Sequence, residues 1–151
     1  MTVAAALTQL GTVAQAAATS LGVRANLIYS APPEQIPAFP AVVCHWASSA
    51  FDQFPFGTTA ATGYQHETAT ITVMYFANAS TLPRAHPSVL AFLDAFRALI
   101  AANQNLNDTV RQVRLTRASI GQLDYNGNDG YLGCEITLEC DLYHATTWVE
   151  A

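Results

Sequence analysis

Residues 131–144, YLGCEITLECDLYH, carry the clearest pattern of hydrophobic and polar positions in the chain. Leu132, Cys134, Ile136, Leu138, Cys140 and Leu142 alternate with Tyr131, Gly133, Glu135, Thr137, Glu139 and Asp141. A period of two over this length predicts a strand with one core face and one polar face. Residues 68–77, TATITVMYFA, repeat the pattern, with Ile71, Val73 and Tyr75 facing one way and Thr70, Thr72 and Met74 the other. Residues 41–47 and the short stretch 26–30 read as two earlier strands. A different period governs two other segments. Val3, Leu7, Leu10, Ala14, Ala17 and Leu21 recur at helical spacing, with Thr2 placed to cap the start and Gly22 the end. Val89, Phe92, Leu93, Phe96, Leu99 and Ile100 form a broad apolar stripe over residues 87–102, with Pro87 suited to the first helical position.

The order is helix, three strands, helix, two strands. It predicts an α+β domain spanning residues 1–151: a mostly antiparallel sheet of five strands with two helices packed on one face. The connections differ in character. Four prolines between Pro32 and Pro40 impose an extended segment before the second strand. Residues 48–67 read as a long loop that carries Phe51, Phe54, Phe56 and Tyr64 among small residues. Loops of that length are functional or disordered, and aromatics argue against disorder. These four aromatics are therefore candidate contact residues, with packing on the domain's own core as the alternative.

Composition changes this picture in one respect. Charged residues make up 11% of the chain, against about 25% in ordinary soluble domains. Either codon usage in the host explains this, or other subunits cover much of the surface, since subunit interfaces are poor in charge. The formal net charge of −5 argues against a protein that coats nucleic acid. No apolar run reaches the roughly 20 residues of a membrane span, and the N-terminal segment lacks the basic start of a signal peptide, so the expected setting is cytoplasmic. Cys44, Cys134 and Cys140 read as reduced, buried thiols. Cys134 and Cys140 stand about 20 Å apart on one strand and cannot bridge each other.

Candidate chemistry is sparse. His45, His66, His86 and His144 show no metal-ligand spacing, and Cys44 and His45 point to opposite faces of a strand. No nucleophile elbow, phosphate loop or dinucleotide fingerprint occurs, so the expectation is no enzyme, no cofactor and no metal. DYNGNDG partly follows a calcium loop, with Asp124, Asn126 and Asn128 at positions one, three and five and Glu135 at twelve. Asp129 stands where that loop needs glycine, and the ordinary reading is a polar hairpin connection over residues 121–130.

The basic residues are concentrated. The chain has no lysine, and Arg111, Arg114 and Arg117 are half of its arginines. If residues 106–120 pair with the last strand so that partner numbers sum to about 252, Ile120 meets Leu132, Ala118 meets Cys134 and Val110 meets Leu142. Arg117 then meets Glu135, and Arg111 meets Asp141. Arg114 falls opposite Leu138, so either a bulge re-aims it or it reaches a partner molecule.

The layout resembles that of the tail terminator, or tail-completion, proteins of long-tailed bacteriophages. The similar elements are TVAAALTQLGTVAQAAATSL, PPEQIPAFPAVV, the segment 48–67, HPSVLAFLDAFRALI with its exit NQNLNDTV, and the hairpin from LNDTVRQVRLT to LECDLYH. The resemblance covers nearly the whole chain and rests on layout, not on an invariant motif. It implies a structural virion protein that forms a hexameric homo-oligomeric ring on the end of the tail tube, stops tube polymerisation and joins the tail to the head-completion proteins of the neck. Such a protein is assembled in the host cytoplasm and resides in the virion. DNA passes through its lumen without specific binding, and no membrane is involved. On that reading Phe51, Phe54, Phe56, Tyr64 and Arg114 are the protein-interface candidates. The alternatives are another neck connector, or a small oligomeric ligand-binding α+β domain.

Overall fold

The computed structural model describes residues 2–55, 62–78, 81–126 and 128–147, with side chains described in these except 53–55, 62–64, 128–130 and 145–147. Two helices and five strands follow the expected order: α1 Val3–Ala18, β1 Ile28–Tyr29, β2 Ala41–Pro55, β3 Thr62–Phe76, α2 Leu82–Ala102, β4 Gln112–Tyr125 and β5 Asn128–Thr147. The strands form one sheet in the order β1-β2-β3-β5-β4. Only β1 pairs in parallel, through Ile28 with Val42 and Tyr29 with Val43. The fold is therefore α+β, as the alternating and helical periods require.

Helix α1 begins where the cap was expected, because the Ala5 amide donates to Thr2 Oγ1 at 3.1 Å. A 3-10 turn over Thr19–Leu21 and Gly22 at φ 76° end it. Its buried face is narrow and small, formed by Ala6, Leu10, Gly11, Val13, Ala14, Ala17 and Ala18, which lets it lie close to the sheet and to α2. Helix α2 starts five residues before its expected position. Pro83 sits in the first turn, where a missing N–H costs nothing, and Pro87 is inside the helix. This helix has 21 residues and is long and apolar enough to cross a membrane by length and composition, contrary to the reading that no segment is. Its stripe of Val89, Phe92, Phe96 and Ile100 instead packs into the core. Phe92 stacks between Tyr75 of β3 at 4.7 Å and Phe96 at 5.6 Å.

Both helices cover one face of the sheet. There they bury Val42 and Cys44 of β2, Ala69, Ile71, Val73 and Tyr75 of β3, and the six alternating residues from Leu132 to Leu142 of β5. A smaller core lies on the opposite face, where Val43, Met74, Phe76, Leu123 and Tyr125 are covered by Ile36 and Phe39 from the proline segment. That segment is tied to the β4–β5 turn: the Tyr125 hydroxyl donates to the Pro33 carbonyl, and Asn126 Nδ2 donates to the Glu34 carbonyl at 2.7 Å.

Two expectations are corrected. Residues 48–67 are mostly strand: β2 and β3 pair without a break from Ala41 opposite Phe76 to Pro55 opposite Gly63, apart from a bulge between Trp46 and Ser48. The bulge breaks the period of two, and small residues follow it, so this part of the strand lacks a sequence pattern of its own. Similarly, the connection expected over 121–130 is much shorter. The strands run to Tyr125 and resume at Asn128, with Asn126 at φ 50° in the turn, as an Asn-Gly turn requires.

A glycine in β5 marks a close approach between strands. A Cβ on Gly133 would lie 1.8 Å from the carbonyl oxygen of Tyr75. Gly133→Ala is expected to destabilise the protein by about 3 kcal/mol, as overpacking against rigid backbone does. The shift in urea midpoint measures it, and a loss below about 1 kcal/mol would show that β3 and β5 are not held this close.

Candidate functional site

The outer parts of β2 and β3, with β5 paired to β3 along its whole length, form a three-stranded arm of the sheet. On the helix-side face of the arm, Val42 and Cys44 lie under α1, but Trp46 and Phe51 beyond them are 52% and 56% exposed. Phe51 is therefore an exposed aromatic, as expected for a contact residue. Phe54 and Tyr64 stand opposite each other in the ladder, and their side chains fall outside the described set. Phe56 lies outside the described residues altogether. Sequence reasoning missed Trp46, because it reads as part of a core strand until the bulge after it is known.

Two polar networks fix β2 and β3 to β5, one on each face. On the helix side Glu67 is buried among apolar neighbours, where an unpartnered carboxylate would be costly. Ser49 Oγ donates to Glu67 Oε1 at 2.6 Å, and His144 Nε2 lies 2.7 Å from Glu67 Oε2. Trp46 Nε1 donates to Ser49 Oγ at 2.9 Å, so the exposed indole is anchored through Ser49 to the buried acid. This order runs Trp–Ser–Glu–His. The serine donates to the carboxylate, not to the histidine, so the order differs from a serine–histidine–carboxylate triad.

On the open face His66 Nε2 lies 3.2 Å from Asp141 Oδ1 and His66 Nδ1 3.9 Å from Asp52 Oδ2. The imidazole stacks on Tyr143 at 4.8 Å, and the Arg111 guanidinium lies 4.9 Å above the same ring. Arg114 completes the cluster, with one nitrogen 3.3 Å from Glu139 Oε2 and another 3.4 Å from Asp141 Oδ2.

The expected β4–β5 register is corrected here. A bulge between Leu115 and Arg117 divides the ladder. Before it Gln112 meets Asp141, Arg114 meets Glu139 and Leu115 meets Leu138. After it Arg117 meets Thr137, Ala118 meets Ile136 and Ile120 meets Cys134. The pairs Arg117–Glu135, Arg111–Asp141, Ile120–Leu132, Ala118–Cys134 and Val110–Leu142 do not form. The bulge turns Val113 and Leu115 toward the core and Arg114 toward the acids. Arg111 meets Asp141 only through its backbone amide, which donates to the Asp141 carbonyl at 2.8 Å.

The remaining candidates are not brought together. Cys44, Cys134 and Cys140 are buried free thiols, and burial pushes each up to about 12 from an ordinary 9.0. A thiol kept protonated at neutral pH is not a nucleophile. Asp124 lies at the turn and Glu135 lies opposite Ser119, about 17 Å down the strand, so the first and last positions of the calcium pattern cannot hold one ion. Among the described residues no three of His, Cys, Asp and Glu converge as metal ligands. The chain matches no protein-family model and no curated protein.

Two measurements test this geometry. A double-mutant cycle on Arg114→Ala and Glu139→Ala is expected to give a coupling of about 0.5 kcal/mol, as for a half-exposed pair. A larger coupling between Arg117 and Glu135 would restore the bulge-free register. The thiols give a pH dependence. Their raised values favour the folded state fully below pH 9.0, and that contribution is lost as pH rises toward about 12. Stability is expected to fall by about 1.4 kcal/mol per pH unit per thiol in that window. Urea unfolding at pH 8 to 11 should show a shallower slope for Cys44→Ala, and an unchanged slope would place that thiol in contact with solvent.

Proposed function

We propose that this chain is a structural virion protein of the tail-terminator kind. It forms a hexameric ring on the tail tube, ends tube polymerisation and presents a surface to the head-completion proteins of the neck. The observation that carries the reading is the β2–β3 arm. In a chain with few charges it leaves Trp46 and Phe51 exposed to solvent on its helix-side face. Large aromatics held on a rigid, hydrogen-bonded strand pair suit a protein interface, because little conformational freedom is lost when they are covered.

The charge arrangement supports the same reading. Arg114 is matched by two carboxylates and Arg111 lies over Tyr143, which leaves Arg117 as the one member of the arginine cluster with neither kind of contact among the described residues. A net charge of −5 suits a channel through which DNA slides without sticking. A head-completion or other connector protein of the neck draws on the same arm, and contact with the tube distinguishes the two.

The test is assembly. Six copies of 16.2 kDa give a particle of about 97 kDa, and a mass near this value is expected in solution or on addition of a phage tail-tube protein, together with tubes of limited length. Phe51→Ala is expected to change stability by less than about 0.5 kcal/mol while preventing ring or cap formation. Tubes that grow unchecked in the presence of the chain, with a neck protein bound instead, would favour the connector. A monomer that binds a metabolite tightly would favour the small ligand-binding domain.

A further inference from the structure

Among the described residues the sheet ends in two edge strands with no further strand along most of their length, although the Val113 amide donates to the Gln104 carbonyl at 2.8 Å. β4 is the last strand on one side. On the other side, β1 covers only Val42 and Val43 of β2, which leaves the outer edge of β2 open along the arm. Open edges of this length are templates for another strand. Successive antiparallel pairing gives β2 and β5 one direction and β3 and β4 the other. Thus β4 of one copy runs antiparallel to β2 of a second copy placed in the same orientation, with the helices of both on the same side.

The two edges also match in charge and shape. β4 carries Arg114 and Arg117, and among the described residues no carboxylate lies within ion-pair distance of Arg117. The one charged residue of β2 is Asp52, whose side chain is 72% exposed. Setting Arg117 opposite Asp52 puts the two on the open face, the face each already occupies in its own sheet. The same register sets Ala118 opposite Phe51 and Ile120 opposite Ser49 on the helix side. After the β2 bulge, Gln122 meets Trp46 on that side too. Ile120 is 36% exposed. Next to Ala118 a groove of 310 Å³ opens between α2 and β4, lined by Leu93, Leu115 and Ala118 with the charged Asp94 and Arg97 at its side, and this register brings Phe51 of the next copy to it.

We infer that copies of this chain join head to tail by pairing β4 of one with β2 of the next, Arg117 on Asp52, with Phe51 seated in the α2–β4 groove. This rests on the ring reading and supplies its contact: one surface meets a different one, and repetition closes the ring. Pairing also removes both open edges.

The experiment uses the full chain carrying Asp52→Cys and Arg117→Cys together. The native thiols are buried, and within one copy positions 52 and 117 are separated by three strand spacings across the sheet and six residues along it, about 25 Å in all, too far to bridge. Mild oxidation is expected to give a ladder of covalent oligomers ending at the ring mass, with a 52–117 disulfide identified by peptide mapping. Each single variant should stay unlinked, because position 52 then faces Arg117 and position 117 faces Asp52. As a second measurement, Asp52→Arg alone or Arg117→Asp alone is expected to raise the concentration needed for assembly by about tenfold. An equal mixture of the two restores it, because every interface then pairs opposite charges. A ring of about 97 kDa that lacks the 52–117 bond overturns the edge pairing and leaves the ring. A 52–117 ladder that grows into open filaments supports the pairing and overturns the ring. A chain that stays monomeric and unlinked with the tube protein present overturns both.

Discussion

The rest of the structure depends on the burial of one face of β5. Leu132 to Leu142, taken at every second residue, lie under the helices, and hydrophobic burial of six side chains outweighs any single polar contact on the strand. That fixes the opposite face: Glu135, Thr137, Glu139 and Asp141 must point away from the helices. Both neighbours then take their registers from β5. β3 pairs with it along its whole length. β4 does so only by inserting an extra residue at Thr116, which leaves Val113 and Leu115 on the helix side together with Ala118 and Ile120 although the two sets differ in parity; of these Val113 is buried, Leu115 half-buried, and Ala118 and Ile120 exposed. The bulge sets Arg114 opposite Glu139, where it also reaches Asp141.

This accounts for what was legible in the sequence. β5 was readable because its alternation is unbroken, and the helix stripes were readable because both helices bury one face against the sheet. The α+β layout followed from those three elements. Register was less accessible. A bulge changes parity without a residue type that announces it, and the clue was indirect: Arg114 fitted no even register. The arm was lost for a related reason. Residues 48–55 have neither strong β-formers throughout nor a steady period, and they are extended because β3 holds them, while β3 is held by β5. A strand stabilised from outside leaves little trace in its own residues. Of the expected contact residues, Phe51 is exposed on the arm. Arg114 is engaged within its own subunit, which leaves Arg117 as the arginine turned to the outside.

The two polar networks on the arm have different consequences. Ser49 and His144 satisfy the buried Glu67 carboxylate, and through Ser49 this network also holds the exposed Trp46 in place. Asp141, with His66 and Arg114, links β3, β5 and β4 across the open face. An aromatic displayed on a single hairpin would move with the hairpin, since isolated two-stranded ribbons are marginal. Displayed on an arm bonded to a third strand on both faces, it is held in a fixed position before any partner arrives, and that lowers the ordering cost of association.

The scarcity of charge acquires a physical meaning from the same geometry. A monomer with two open strand edges needs charged residues along them to prevent unwanted pairing. This chain places Arg114 and Arg117 on one edge strand, with Asp124 at its turn end, and a single aspartate, Asp52, on the other. Two identical edges would then be kept apart: β4 repels β4 by its arginines, and β2 has no cation to attract β2. The opposite edges attract. A few charges so distributed do more than a larger number scattered evenly, because they disfavour symmetric pairs and favour the head-to-tail contact that repeats. The cluster of arginines that first suggests a nucleic-acid surface is on this argument a device for choosing which edge of the sheet meets which.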